Sequence, residues 1–163
     1  MELIVTVDEN WAIGKNGLSL AKLPAEYRNR EKLTLGNTVI MGRKTFLSLP
    51  QEQPLYGREN IVLSSKEDFA KKGITVAHSV EEILKLVEDR PGNEIFVCGG
   101  EGTYRALLPH CDVAHVLFVE MEYDANHYME NLDKSEEWEL VEESDEQTYF
   151  DMTYYFRKYV RVR

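Results

Sequence analysis

Apolar, β-branched runs ending in small or polar residues recur along the chain, with helical spacing between several of them. Leu3-Ile4-Val5-Thr6-Val7 predicts a first strand buried on both faces, closed by Asp8-Glu9-Asn10. Trp11 to Lys22 reads as a loop with an Asn-Gly turn, yet it carries Trp11, Ile13, Leu18 and Leu20, so it should cover core or a bound ligand. Pro24 and Glu26 suit the first turn of a helix running to Leu33 and stopping before Gly36. That helix has little apolar face, and its packing is expected to rest on Tyr27, Leu33 and aliphatic stems.

Thr38 to Met41 predicts a buried strand that breaks at Gly42 and is followed at once by Arg43, Lys44 and Thr45 on a short helix. Pro50 to Gly57 is a loop. Asn60 to Ser65 and Ile74 to Ala77 are further strands. Ser79 and Glu82 form a capping-box pair, after which Val80, Ile83, Leu84 and Val87 recur at helical spacing. Glu94 to Cys98 leads into Gly99-Gly100 and a helix through Tyr104, Leu107 and Leu108, and Val113 to Met121 is strand-like. The aromatic tail, Trp138 to Val141 and Thr148 to Val162, suits two long antiparallel strands. This order predicts an α/β fold: residues 1–163 as one domain, with a central mostly parallel sheet, an antiparallel C-terminal end and flanking helices.

Composition narrows the partners. The chain has 163 residues, with 19 basic and 29 acidic side chains and a formal charge of −10, which argues against nucleic acid or an anionic membrane surface. A small anionic ligand held by local cations remains compatible. No stretch is long and apolar enough to span a bilayer, and Met1-Glu2-Leu3 opens on strand-like sequence without a charged leader, so a cytoplasmic protein is expected. Cys98 and Cys111 lack metal-type spacing and read as reduced, buried thiols; no metal site is expected.

Ligands of open α/β sheets gather at the carboxyl ends of strands. Here those ends carry Thr6, Gly42-Arg43-Lys44-Thr45, Ser64-Ser65 and Gly99-Gly100. On its own, Gly42-Arg43-Lys44-Thr45 is equally well a phosphate site or a solvated strand-to-helix turn. The repetition favours a nucleotide site, with Ser65 and His78 as a second polar cluster suited to a 2′-phosphate, although taken singly Ser64-Ser65 reads as a plain turn and His78 as a surface histidine. The dinucleotide fingerprint G-x-G-x-x-G is missing, so the nucleotide must bind through scattered strand ends. Among the acids Glu26 stands out, because it opens a helix whose N-terminus would face Ile4, Val5 and Thr6, where desolvation would raise its pKa toward catalytic use; taken singly, an exposed first-turn helix acid is the commoner case.

In order, these motifs resemble the dihydrofolate reductase family over nearly the whole chain, the tail in the bacterial manner. The resemblance rests on Leu23-Pro24-Ala25-Glu26, Val39 to Thr45, Gly57 to Ser64 and Val97-Cys98-Gly99-Gly100 with Tyr104, supported by Ala12-Ile13-Gly14 and Gln147 to Phe150. It implies a monomeric NADPH-dependent enzyme in which hydride reaches C6 of 7,8-dihydrofolate while N5 is protonated. Glu26 would bind the pterin edge and promote protonation through water. With it on the substrate side would stand Ile4, Val5, Thr6, Tyr27, Arg30, Cys98 and Tyr104, with Leu49 and Leu55 lining the benzoyl channel and Arg58 clamping the α-carboxylate. Ile13 to Leu20 would be a closing loop that brings Ile13, Gly14, Gly17 and Leu18 to the cofactor. Thr6, Gly42, Arg43, Lys44, Thr45, Leu63, Ser64, Ser65 and His78 would complete its site, together with Gly99, Gly100, Glu101, Gly102, Thr103 and Tyr104.

The chain departs from the family pattern mostly on the substrate side. Arg30 stands where a phenylalanine normally packs on the substrate rings, Leu117 where a threonine supports the acid, Ala21 where a tryptophan often anchors water, and Tyr27 where a smaller residue is usual. Losing one aromatic wall would forfeit about 1.5–3 kcal/mol of apolar burial. The resemblance therefore leaves two alternatives beside dihydrofolate reduction: a reductase of the same fold acting on another pterin or pyrimidine, or a cofactor-binding relative with little catalysis.

Overall fold

The computed structural model of the protein describes residues 1–15 and 22–163 together with the backbone of residues 18–19. In chain order its strands and helices are β1 (Glu2–Val7), β2 (Ala12–Lys15), β3 (Leu18–Ser19), α1 (Pro24–Thr34), β4 (Thr38–Gly42), α2 (Arg43–Leu47), β5 (Glu59–Leu63), β6 (Ile74–Ala77), α3 (Val80–Leu86), β7 (Ile95–Val97), α4 (Glu101–Leu107), β8 (Val113–Val119), β9 (His127–Tyr128), β10 (Trp138–Glu143), β11 (Gln147–Tyr149) and β12 (Met152–Arg161). The main sheet runs β10-β12-β8-β1-β7-β4-β5-β6, with β11 paired to β12. From β8 to β6 neighbouring strands are parallel, and β10, β11 and β12 add the antiparallel end. The expected α/β architecture is the one observed.

Side chains of a strand alternate between faces, and β4 shows the consequence. Ile40 packs in one cluster with Ile83 of α3 and Leu107 of α4. Val39 and Met41 point the other way, onto Phe46 of α2. The same alternation in β8 sends Val116 to the first cluster and Leu117 to a third, with Leu23 and Ala25 at the start of α1. Helices therefore cover both faces, as a mostly parallel sheet requires.

Four expectations need correction: Trp11 to Lys22, read as a loop, contains β2 and β3. β1 alternates rather than being buried throughout: Leu3, Val5 and Val7 are core, whereas Glu2, Ile4 and Thr6 are half-buried. Glu2 meets His115 at 2.7 Å, and Ile4 and Thr6 face a cleft. The tail has three strands, because Phe150 takes a φ of +53° and a tight turn pairs Tyr149 with Met152. Tyr27 is 59% exposed and does not anchor α1, which buries Ala25 and Thr34 instead. Each helical residue turns about 100°, so with Glu26 facing inward Tyr27 faces water.

The segment after β1 belongs to both core and cleft. Trp11, at φ +58°, is buried edge-on to Tyr159, with ring centroids 5.7 Å apart. β2 pairs with β3 and β9 in a small second sheet. Its base hangs on Asp8, only 1% exposed, whose carboxylate accepts the N–H groups of Asn10 and Ala12 at 2.9 Å and of Tyr123 at 2.8 Å. Asn16, Gly17, Leu20 and Ala21 lie outside the described residues, as do the side chains of Leu18 and Ser19, and with them most of the expected closing loop.

Asp8→Ala would strip all three N–H groups of their partner at once. Since a buried unsatisfied donor costs about 1–3 kcal/mol, Asp8→Ala is expected to lose at least about 2 kcal/mol in urea unfolding, with Asp8→Asn losing less.

Candidate active site

A cleft of 630 Å³ opens along the carboxyl ends of β1, β4, β5 and β7. Ile4, Val5 and Thr6 come from β1, and Ile13 and Gly14 from β2. Glu26 and Arg30, four residues apart, share the inner face of α1. Gly42, Arg43, Lys44 and Thr45 cross from β4 into α2, and Leu49 follows that helix. Leu63, Ser64 and Ser65 end β5, and Cys98 to Tyr104 run from β7 through the first turn of α4.

At the glycine positions the backbones come very close. The Gly42 N–H donates to the Gly99 carbonyl at 2.8 Å, and Gly99-Gly100 is joined by a cis peptide. A Cβ on Gly42 would stand 2.7 Å from Thr103 Oγ1, and one on Gly100 would stand 3.2 Å from Thr45 Oγ1. Only glycine permits this approach, which leaves two threonine side chains beside bare backbone. Tyr104 anchors the arrangement: its hydroxyl donates to the Ile4 carbonyl at 2.7 Å, and burial holds its pKa well above the ordinary phenol value.

Glu26 is the acid of the cleft. Burial raises its pKa, against a hydrogen bond from the Thr6 side chain and the charge of Arg30, both of which lower it. Leu117 has no hydroxyl to give, but the register pairs it with Thr6 on the adjacent strand. The supporting hydroxyl thus comes from β1 in place of β8. The sequence places Thr6 near the acid, and the strand register is what lets it make up for Leu117.

Four expected site residues stand outside the cleft wall. Tyr27 faces solvent beside Arg30, whose guanidinium carbon lies 5.6 Å from its ring. Leu55 packs with Leu49 and Cys98 in the α2-side cluster, its N–H bound to Asn60 Oδ1 at 2.9 Å. Arg58 pairs with Glu31, with Nη2 2.6 Å from Oε2, while Nε donates to the Tyr56 carbonyl at 3.0 Å. His78 is exposed, with Nδ1 2.8 Å from the Ser64 carbonyl. Gly17 and the Leu18 side chain lie outside the described residues.

Two residues join the cleft unannounced. Ser48 follows Leu47 at the end of α2, its hydroxyl bonded to the Thr45 carbonyl at 2.6 Å. His127 arrives on β9, which pairs with β2, and its Nδ1 lies 3.5 Å from Glu101. The Tyr128 N–H, 2.6 Å from the same carboxylate, holds the Glu101 pKa below its ordinary value, with His127 adding to the effect. Nothing local to residues 125–130 signals this pairing, since it depends on β2.

The family model for dihydrofolate reductase matches residues 1–161. The chain belongs to the dihydrofolate reductase family. It is 33% identical over 141 residues to the dihydrofolate reductase of Bacillus subtilis (strain 168), covering 86% of this chain and 81% of that one. With the Enterococcus faecium enzyme the identity is 34% over 144 residues, covering 85% and 81%. The solved structure of dihydrofolate reductase from Enterococcus faecalis, complexed with NADP(H) and RAB-propyl, superposes with a TM-score of 0.87 at 28% identity, covering 99% of this chain and 96% of that one. No helix among the described residues is long and apolar enough to cross a membrane.

The raised pKa of Glu26 has a consequence for stability. Between the ordinary glutamate pKa of about 4.3 and the raised folded value, the unfolded chain ionises first, so folding loses free energy as pH rises. Glu26→Gln removes that penalty. Its melting temperature should match wild type in acid and exceed it at neutral pH, as thermal melts across the pH range would show.

Proposed function

We propose that the protein reduces 7,8-dihydrofolate to 5,6,7,8-tetrahydrofolate, with NADPH as the reductant. One observation carries the reading: a half-buried carboxyl, braced by Thr6, lies in the same cleft as a glycine-lined strand-end groove bearing Arg43 and Lys44. The groove fits the cofactor, because bare backbone at Gly42 and Gly100, the hydroxyls of Thr45, Ser64 and Ser65, and two cations form a donor set for phosphate and ribose. When bound there, NADPH supplies the hydride that adds to C6.

Arg43, Lys44 and Thr45 hold the phosphates. Ser65 and the neighbouring His78 take the adenosine end, and Gly99-Gly100 with Thr103 line the nicotinamide side. Ile13 and Gly14 close the cleft from β2 and exclude water from the reacting atoms. Glu26 accepts the 2-amino and N3 hydrogens of the pterin, fixing its orientation, and promotes proton delivery to N5 through water. Its elevated pKa suits that work, since an acid catalyst functions best with a pKa near the working pH. Arg58, which already binds one carboxylate in Glu31, takes the α-carboxylate of the substrate. The family relationship and the acidic composition support a cytoplasmic monomer with no nucleic-acid or membrane partner.

A second reading has its own support. Arg30 on the cleft wall replaces an aromatic surface with a guanidinium, which is compatible with a different reduced pterin as substrate.

Following nicotinamide oxidation by absorbance separates the two. Oxidation is expected to require dihydrofolate and to fall at least a hundredfold in Glu26→Gln; dependence on another pterin alone would select the second reading. Because the Thr6 hydroxyl favours ionised Glu26, Thr6→Val should raise the Glu26 pKa. The limb of the pH–rate profile governed by Glu26 should then move to higher pH.

A further inference from the structure

Glu101 places a carboxylate in a cleft that Arg43 and Lys44 suit to phosphates, and two of its partners lie on β9. Its Oε2 accepts the Tyr128 N–H at 2.6 Å, while Oε1 lies 3.5 Å from His127 Nδ1 and 3.5 Å from Arg105 Nη2. A negative charge beside bound phosphate works against binding, so what this side chain contributes must lie elsewhere.

The strand it touches has little else to hold it against α4. β9 is two residues long and is the edge of the small sheet, with Tyr128 paired to Ala12 and His127 to Gly14. Flanking backbone bonds reinforce that pairing, from the Asn126 N–H to the Gly14 carbonyl at 3.1 Å and from the Met129 N–H to the Trp11 carbonyl at 2.9 Å. The Tyr128 N–H donates to Glu101, so the carboxylate caps an otherwise open strand edge. A second cavity, of 800 Å³, lies alongside this contact, lined by Glu101, Tyr104 and Arg105 of α4 and by Tyr128 and Met129. Bonds to Glu101 therefore take the place of close apolar packing between α4 and β9. The effect reaches the cleft through β2, whose Ile13 and Gly14 line it.

We propose that Glu101 is a positioning residue: through the Tyr128 N–H and His127 it fixes β9, and through β9 the cleft-lining Ile13 and Gly14, against the start of α4. This rests on the reading of NADPH as reductant and deepens it, because bound cofactor is then retained by a strap across the cleft. His127 makes the strap sensitive to protons, since an imidazole changes charge between pH 5 and 8. The charged groups around it are Glu101 and Arg105 of α4 and Lys15 of β2, which pairs with Asp124. Arg105 is exposed and Lys15 has its own carboxylate, so Glu101 dominates and protonation of His127 tightens the tether.

The test follows amide hydrogen exchange in the ligand-free protein and NADPH release by stopped-flow fluorescence, in wild type, Glu101→Ala, Glu101→Gln and His127→Gln, with folding verified by thermal melts. Glu101→Ala is expected to speed both exchange of the β2 and β9 amides and NADPH release about tenfold, with the NADPH KM rising more than kcat falls. Glu101→Gln keeps an acceptor for the Tyr128 N–H and should recover part of both. Release from wild type should slow between pH 8 and pH 6, and this slowing should shrink in Glu101→Gln and His127→Gln alike. Removing a negative charge by itself would tighten NADPH, so slower release from Glu101→Ala, or unchanged exchange in β2 and β9, overturns the inference. A pH dependence that survives intact in Glu101→Gln overturns the part given to His127. If wild type oxidises no NADPH with dihydrofolate while these amides still respond to Glu101→Ala, the functional reading fails and the tether stands.

Discussion

The closeness of β4 to β7 at their carboxyl ends is the constraint on which the cleft depends. Gly42 and Gly99 share a 2.8 Å backbone hydrogen bond just past the strand pairing, and the Cys98 N–H reaches the Ile40 carbonyl at 2.8 Å. The contact leaves no space for a Cβ at Gly42, because Thr103 fills it. From this node the Tyr104 N–H returns to Gly100, and the Tyr104 hydroxyl reaches the Ile4 carbonyl in β1. Four elements are thereby held in one register, and the cleft is the groove between their ends. A fold pinned by backbone contacts can vary the side chains around it without losing its shape.

The substrate side shows that variation. Glu26 keeps a half-buried carboxyl, yet its hydroxyl partner sits on β1 because β8 offers Leu117. Adjacent positions of paired strands can supply the same group, so a missing threonine on one strand is made good on the next. Further out, Arg30 adds a cation to the cleft wall, and Glu31 pairs with Arg58 at 2.6 Å.

Much of this was legible in the sequence. The succession of strands and helices along the chain followed from β-branched runs, and the placement of α3 from Ser79, which accepts the Glu82 N–H at 3.1 Å as a cap. Strand ends rich in glycine, hydroxyls and cations marked the cleft, because in a parallel sheet they all emerge at one edge. Legibility failed where partners lie far apart in the chain. His127 reaches the cleft only through pairing of β9 with β2, and Tyr27 was misjudged because aromatic character suggests burial, while the direction of the helix is set by its neighbour Glu26.

The sequence by itself determined the α/β class and the line of small and polar strand ends, since each depends on local periodicity or on the conformational freedom of glycine. Only the tertiary structure decided which hydroxyl braces the acid, that Arg58 pairs with Glu31, and that Arg30 lines the cleft with Nε unpartnered among the described residues. The reason is physical: a strand or turn is fixed by neighbours in the chain, whereas the partner of a charge is fixed by whichever distant side chain lies within about 3 Å.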